Sequence, residues 1–304
     1  MRPDFSRILT RFSWAAILLV LAACAAPSSP YEDWPNSEND GDEAPLPDDD
    51  PMPRPPGAGD WRAEDGVDGP WAIEYVFAYF ADMPVLGRVQ LIMSAFSLLD
   101  ITKDQGALTL KEHTCSYLLP IVEDVPLNLI FPEAAIEAFP ERQRNGSLAA
   151  LEAGAAFGLD ETIDFFGGDG SRFADPAADP LPTDPDDPRV VDLDADDHPG
   201  MTLRTTGVIQ GEVYVMLRVQ YRLEGALVNF GRIEGRTFST VDMATLDGEP
   251  ALLAGQIPLS PIDDPELNRF QIVRLSVPLD CAELLAQSDE LFTYDPLDYA
   301  EPLD

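Results

Sequence analysis

Between residues 212 and 223 apolar and polar side chains alternate, and this pattern restricts the fold more than any other feature of the chain. The odd positions from Val213 to Leu223 are apolar, whereas the even positions include Glu212, Arg218 and Arg222. A β-strand turns successive side chains to opposite faces, so a period of two indicates a strand with one buried face. The segment therefore predicts a long strand that covers a hydrophobic core, and Gly225 is expected to end it.

Similar apolar runs predict further strands along most of the chain. They occupy residues 73–80, 88–101, 108–119, 201–206, 236–246, 251–259 and 270–279. Turn residues at 103–106 and 247–248 separate neighbouring strands without intervening helices, which favours antiparallel pairing of successive strands. Short helices are predicted at 132–137 and 147–157, and Asp280 is a candidate N-cap for a third helix opened by Cys281.

The predicted fold class is therefore mainly β, an antiparallel meander that forms a barrel or a sandwich, with one or two short helices in the middle. The folded region is expected at residues 71–287 as one domain of about 220 residues, with two small domains split near residue 180 as the alternative. Residues 167–200 predict a long acidic loop, because prolines at this density remove the N–H groups that regular structure needs. Residues 24–70 predict a disordered acidic, proline-rich tether, and residues 288–304 an acidic tail.

The N-terminus has the layout of a secretory signal peptide at residues 1–23. Arg2, Arg7 and Arg11 precede an apolar run of about 13 residues that begins at Trp14. A transmembrane helix needs about 20 apolar residues, so this run is too short to span a bilayer and fits a cleaved signal instead.

The signal ends in Leu21-Ala22-Ala23-Cys24, which resembles the lipobox of bacterial lipoproteins. The resemblance implies that the Cys24 thiol carries diacylglycerol, that residues 1–23 are removed, and that acyl chains such as palmitate hold the protein in a membrane. Two or more chains give stable attachment. Asp after the cysteine retains many Gram-negative lipoproteins in the inner membrane. Ala25 stands there instead and favours the outer membrane over the inner membrane. The rest of the chain is similar to uncharacterised Gram-negative envelope lipoproteins.

With Cys24 lipidated, Cys115 and Cys281 remain. An exported protein matures in an oxidising compartment, where such a pair usually forms a disulfide. The predicted bridge joins residues far apart in sequence and ties the two β-rich halves together. Two buried free thiols are the alternative. A zinc site with His113 is disfavoured, because zinc sites show closely spaced ligand pairs and none is present.

Acidic residues dominate the charge of the chain, with a net charge of −36. Such a surface repels nucleic acid and anionic lipid head groups and attracts divalent cations or basic proteins. Three aspartates at alternate positions, Asp192, Asp194 and Asp196, resemble the start of a calcium loop. An EF-hand is excluded, because Asp197 replaces its glycine and Leu203 its bidentate glutamate. The cluster predicts an irregular calcium site, or else a solvated acidic turn; no other cofactor is predicted.

No established catalytic motif is present. The chain lacks the nucleophile elbow, the paired-histidine zinc motif and the P-loop, and it has two histidines. Aromatic residues on the predicted strands either fill the core or line a cavity for an apolar ligand. We therefore expect a non-enzymatic, lipid-anchored envelope protein that binds a partner protein, an apolar ligand or calcium. The alternatives are a lipid-anchored hydrolase that uses two carboxylates, and a structural or assembly protein of the outer membrane.

Overall fold

A computed structural model describes residues 61–83, 87–119, 127–207 and 209–293. The predicted signal peptide, Cys24, most of the predicted tether and the end of the predicted acidic tail lie outside these residues. In the described part, none of the helices is long and apolar enough to cross a membrane.

Antiparallel strands make up most of the described chain. The strands are β1 Gly69–Met83, β2 Gly87–Asp104, β3 Ala107–Leu119, β4 Leu127–Ile130, β5 Arg142–Leu148, β6 Ala156–Phe166, β7 Met201–Gly207, β8 Gly211–Asn229, β9 Arg232–Glu249, β10 Leu259–Pro261 and β11 Arg269–Arg274. The helices are α1 Glu133–Glu137, α2 Cys281–Ala286 and α3 Ser288–Leu291, and single 3₁₀ turns occur at Ala63–Asp65, Gly170–Arg172 and Ala251–Ala254.

The strands close into a barrel-like ring that is not evenly round. At one end the pairing runs β1–β2–β3–β5–β6–β8–β9–β11 and returns to β1. At the other end β4 and β7 bridge β3 to β8, and β10 lies beside β1. The prediction of a mainly β, antiparallel fold is confirmed, and strands from both halves of the chain share one sheet.

The interior of the ring is the main hydrophobic core. Alternate residues of β1 belong to it, from Trp71 through Tyr75 to Tyr79, because the strand turns every second side chain inward. The odd positions of β8, from Val213 to Leu223, do the same, as the alternation predicted. A smaller cluster outside the ring joins β1, β2 and β11 to the helices α2 and α3.

Three local predictions were wrong. Gly225 does not end β8; it lies opposite Gly235, where an added Cβ on Gly225 would meet the Glu234 carbonyl oxygen at 2.2 Å, so the glycine permits close strand approach. Residues 147–157 form no helix, because the chain turns there from β5 into β6 through Gly154 at φ +84°. Residues 251–258 do not form a strand, since Pro250 precedes the segment, Pro258 ends it and a 3₁₀ turn takes its first half; of the predicted strand, Leu259 alone belongs to β10.

Several other predictions are confirmed. Helix α1 lies within residues 132–137, and Asp280 caps α2 by accepting from the Glu283 N–H at 2.8 Å. Residues 167–200 hold no strand longer than one bridge, as the proline density predicted.

The described fold extends past both predicted boundaries. It begins before residue 71, where Val67 is buried and the Arg274 guanidinium lies 4.0 Å from the ring of Trp61. It continues beyond residue 287, because Leu291 and Phe292 are buried in the outer cluster.

Candidate functional site

An apolar cavity of about 70 Å³ lies inside the ring, toward the end formed by β4, β7 and β10. Among the described residues its wall exposes apolar atoms alone. Three methionines line it together with branched side chains from β7, β8 and β9. They are Met83, Met93 and Met243. A site of this kind has room for hydrocarbon and offers no hydrogen bond to a polar ligand.

A second, smaller cavity of about 30 Å³ lies beside the first, toward the middle of the ring. The two share Met93, Phe131, Leu217 and Val241. The wall of the second cavity also includes carboxylate side chains from β3 and β6. The interior therefore changes from apolar to charged between two cavities that share part of their walls.

The charged layer centres on Arg144, whose guanidinium bridges two buried carboxylates. Its Nε donates to Glu112 Oε2 at 2.9 Å and its Nη2 to Asp164 Oδ2 at 2.5 Å. The hydroxyls of Tyr75 and Ser97 donate to the other oxygen of Glu112, at 3.1 and 3.0 Å. Glu112 is 2% exposed and Arg144 6% exposed, so the ion pairs are shielded from water. With their oxygens occupied, these carboxylates hold the interior together rather than offering a free acid and base.

Burial in this layer also raises the pKa values of the tyrosines around it. Desolvation raises the pKa of Tyr75 and Tyr221 well above the ordinary value of 10, and it raises the pKa of Tyr117 as well. The neighbouring Glu112 carboxylate adds to each shift by repelling a tyrosinate. The folded protein therefore keeps these hydroxyls protonated in alkaline solution.

We expect the free energy of unfolding to fall as the pH rises above about 10. The raised pKa of each tyrosine in the folded state means that its stabilising contribution is complete below the unfolded-state pKa and is lost above it. Between the two pKa values only the unfolded chain loses the tyrosine proton, so each of these tyrosines lowers the free energy of unfolding there. Urea unfolding at pH 9 and 11 measures the loss, and Tyr221→Phe should reduce it. Equal free energies of unfolding at the two pH values would contradict this assignment.

The structure brings the predicted calcium residues together. One carboxylate oxygen from each of Asp192, Asp194 and Asp196 lies within 4.8 Å of the others. Much of their hydrogen-bonding capacity serves the loop itself. Asp192 accepts from the Asp197 N–H at 3.0 Å, and Thr202 donates to both Asp194 and Asp196. Asp194 Oδ1 is buried without a partner in the described chain, and desolvation raises the pKa of this carboxyl. Calcium binding here stays a prediction.

Cys115 and Cys281 form the predicted disulfide, with their Cα atoms 5.1 Å apart. The β2–β3 ladder shifts register between Phe96 and Ser97, so Thr114 pairs with Ser97 and Ser116 with Phe96. Cys115 is the extra residue of this bulge. It lies in the outer cluster with α2, while Glu112 faces the interior.

The charged layer of Glu112, Arg144 and Asp164 was not predicted from the sequence. Glu112 stands at an even position of the predicted strand 108–119, in phase with the apolar Leu108 and Leu110. A carboxylate in the buried phase of a strand is a signal for a buried cation, but Arg144 lies in a strand that was not predicted. Comparison with protein-family models, with curated proteins and with solved structures gave no match to this chain.

Proposed function

We propose that the chain is a lipid-anchored protein of the bacterial cell envelope whose strand ring binds an apolar ligand. The observation that carries the binding part is the interior cavity with its wholly apolar wall. An unfilled cavity forfeits contacts between its wall and neighbouring atoms. At about 24 cal/mol per Å³, a volume of about 70 Å³ costs about 1.7 kcal/mol, which a ligand recovers on entry.

The size of the cavity restricts the ligand. Benzene binds in an engineered cavity of about 150 Å³ in the core of another protein. The present cavity, at about 70 Å³, has roughly half that volume. A whole lipid does not fit this space, but the end of a hydrocarbon chain does. Met83, Met93 and Met243 line the wall, and their flexible side chains can move to admit a longer segment. The expected ligand is therefore a molecule with an unbranched apolar chain.

Filling the cavity should weaken binding. Val241 lines both cavities, so Val241→Phe places a ring where the chain would lie. We expect its affinity for a neutral long-chain alcohol, measured by displacement of a fluorescent hydrocarbon probe, to fall at least about tenfold, or 1.4 kcal/mol. Val241→Ala enlarges the space and should raise the affinity. Val277→Phe, at a site 58% exposed, is the matched control. Equal affinity in all three variants would exclude the cavity as the binding site.

The anchor part of the proposal rests on the lipobox tetrad that ends at Cys24. In a Gram-negative host, the full chain should incorporate labelled palmitate and sediment with membranes. Cys24→Ala should abolish the label and leave an unprocessed precursor. Cys281→Ser, which removes a different cysteine, should keep the label. Palmitate in Cys24→Ala, or its absence from the unaltered chain, would contradict lipidation at this residue.

The two parts of the proposal support each other. An anchored protein stays close to a membrane, which is the most abundant source of hydrocarbon chains in the envelope. Attachment by two or more acyl chains is stable, so the binding domain remains at that surface.

A further inference from the structure

The wall of the ring is interrupted on one side by a seam, defined as the gap between residues 237–245 of β9 and residues 256–263. Strand β10 pairs with β1, from Tyr79 opposite Pro261 to Ala81 opposite Leu259. Strand β9 pairs with β8 and, up to Arg236, with β11. The two strands lie side by side, but within the described residues no ladder joins β10 to β9.

The sequence explains why the seam does not close. The N–H of Ile262 donates to the Ala78 carbonyl on β1 at 2.9 Å. Backbone N–H and C=O groups alternate in direction along a strand. The backbone groups of the even positions point toward β1, so those of Leu259 and Pro261 point toward β9. Proline has no N–H, and a ladder donor is therefore missing on that edge.

Other groups bridge the two ends of the seam. At one end the Thr237 N–H donates to the Asn268 carbonyl at 3.1 Å. At the other end the Gln256 amide pairs with both backbone groups of Thr245, at 3.1 and 2.6 Å. Between these points a single side-chain hydrogen bond crosses within the described chain, from Tyr79 to Ser239 at 2.5 Å.

That hydrogen bond separates two spaces. Tyr79 lines the apolar cavity, and Ser239 lines an open groove of about 270 Å³ on the outside of the ring. Two residues beyond Ser239 on β9, Val241 lines the cavity. On the other edge of the seam Pro261 lines the groove, and Leu259, two residues before it, lines the cavity. The groove and the cavity thus meet at the seam.

Two arginines line the groove, together with two acidic residues, Glu161 and Asp263. The guanidinium groups of Arg222 and Arg236 lie 4.2 and 5.1 Å from the ring of Phe238. Their ion-pair partners are exposed, with Glu224 at 60% and Asp263 at 98% side-chain exposure. Exposed ion pairs are weak, so both arginines can exchange these partners for another anion.

Two polar atoms at the groove also lack partners. The Nε of Arg236 and the Oγ1 of Thr237 are buried without a hydrogen bond to any described residue, and both side chains line the groove. Thr237 is 2% exposed. Buried donors without partners are costly, and a bound anion would accept from them. The carboxylates of Glu161 and Asp263 in the groove wall disfavour a doubly charged anion there.

We propose that the ligand is a fatty carboxylate, whose head group binds Arg222 and Arg236 and whose chain passes through the seam into the cavity. The inference rests on the proposed function, because it uses the same cavity. The chain enters when the hydrogen bond between Tyr79 and Ser239 opens. A singly charged carboxylate satisfies the unpartnered donors, and the neighbouring carboxylates of Glu161 and Asp263 disfavour a doubly charged phosphate.

Laurate and dodecanol, which carry chains of equal length, test the head-group site. The unaltered protein should bind laurate about tenfold more tightly than the alcohol, as a charge-assisted contact predicts. The double variant Arg222→Gln, Arg236→Gln should bind laurate no better than the alcohol, so the ratio of the two affinities should fall from about ten to about one. Arg204→Gln, an exposed arginine outside the groove, is the matched control. Laurate binding that matches alcohol binding, or that survives the double variant, would overturn the inference.

Tyr79→Phe tests the route, because it removes the hydrogen bond across the seam and keeps the ring that lines the cavity. Laurate should associate faster with this variant in stopped-flow displacement. An unchanged association rate would exclude entry through the seam. Failure of the alcohol itself to bind the unaltered protein would instead refute the proposed function. Alcohol binding without a preference for laurate would refute the head-group site alone.

Discussion

Replacing Arg144 by methionine should lower the free energy of unfolding by about 3–5 kcal/mol, because it removes the cation that contacts the buried Glu112 and leaves Asp164 with the longer Arg142 ion pair, at 3.7 Å. Arg144 donates to Glu112 at 2.9 Å and to Asp164 at 3.0 and 2.5 Å, and each of these residues is less than 10% exposed. Methionine fills a similar space, so the loss reports charge rather than volume. Urea unfolding of the two proteins at neutral pH measures it.

The control is Arg204→Met, which breaks an ion pair with Glu212 in which the arginine side chain is 60% exposed. Pairs of this kind contribute at most about 1 kcal/mol. Adding Glu112→Gln to Arg144→Met should restore part of the stability, since the uncompensated charge of Glu112 is then removed while Asp164 keeps its ion pair with Arg142. A loss below about 1 kcal/mol for Arg144→Met, or no recovery in this double variant, would show that the layer contributes little to folding.

Removing the disulfide with Cys115→Ser and Cys281→Ser together should lower the free energy of unfolding by up to about 5 kcal/mol. The bridge spans a sequence separation of 166, and the chain-entropy model gives about that value for a loop of this length. The bond also holds α2 against β3, beside the buried Leu284 and Phe292. We therefore expect faster hydrogen exchange in residues 281–293 of the double variant.

Chemical reduction of the disulfide in the unaltered protein is the matched control for the double variant. It should lower the urea midpoint of the unaltered protein to that of the double variant and should leave the double variant unchanged. An equal midpoint for the oxidised protein and the double variant would contradict a stabilising role for the bridge. Slow exchange in residues 281–293 without the bridge would show that the outer cluster holds α2 and α3 by itself.

Local sequence patterns correctly predicted the secondary-structure elements that depend mainly on neighbouring residues. The alternation around Val219 predicted β8, the proline-rich stretch predicted the loop at 167–200, and Asp280 predicted the start of α2. The predictions failed where distant contacts outweigh local preference. Gly225 remains within a strand because Gly235 lies opposite, and the alanine-rich residues 149–155 connect two strands instead of forming a helix.

The candidate site depends on contacts between residues far apart in sequence more strongly than the secondary structure does. Glu112 was visible as a charge in the buried phase of a predicted strand, but nothing near it in sequence identifies Arg144 and Asp164 as its neighbours. The sequence also left open whether the aromatic residues fill the interior or surround a cavity. That question is decided by the spacing of strands across the ring, which no local pattern contains.

By itself, the sequence determined most of the long strands, which cysteines can pair and where the chain cannot be regular. Side-chain periodicity and proline content are properties of neighbouring residues, and the cysteine count is a property of composition, so all three can be assessed without knowledge of tertiary contacts. Tertiary structure alone decided the closure of the ring, the charged layer, the cavity and the seam. The physical reason is that each of these requires residues far apart in the chain to meet, as Tyr79 and Ser239 do across a separation of 160 residues.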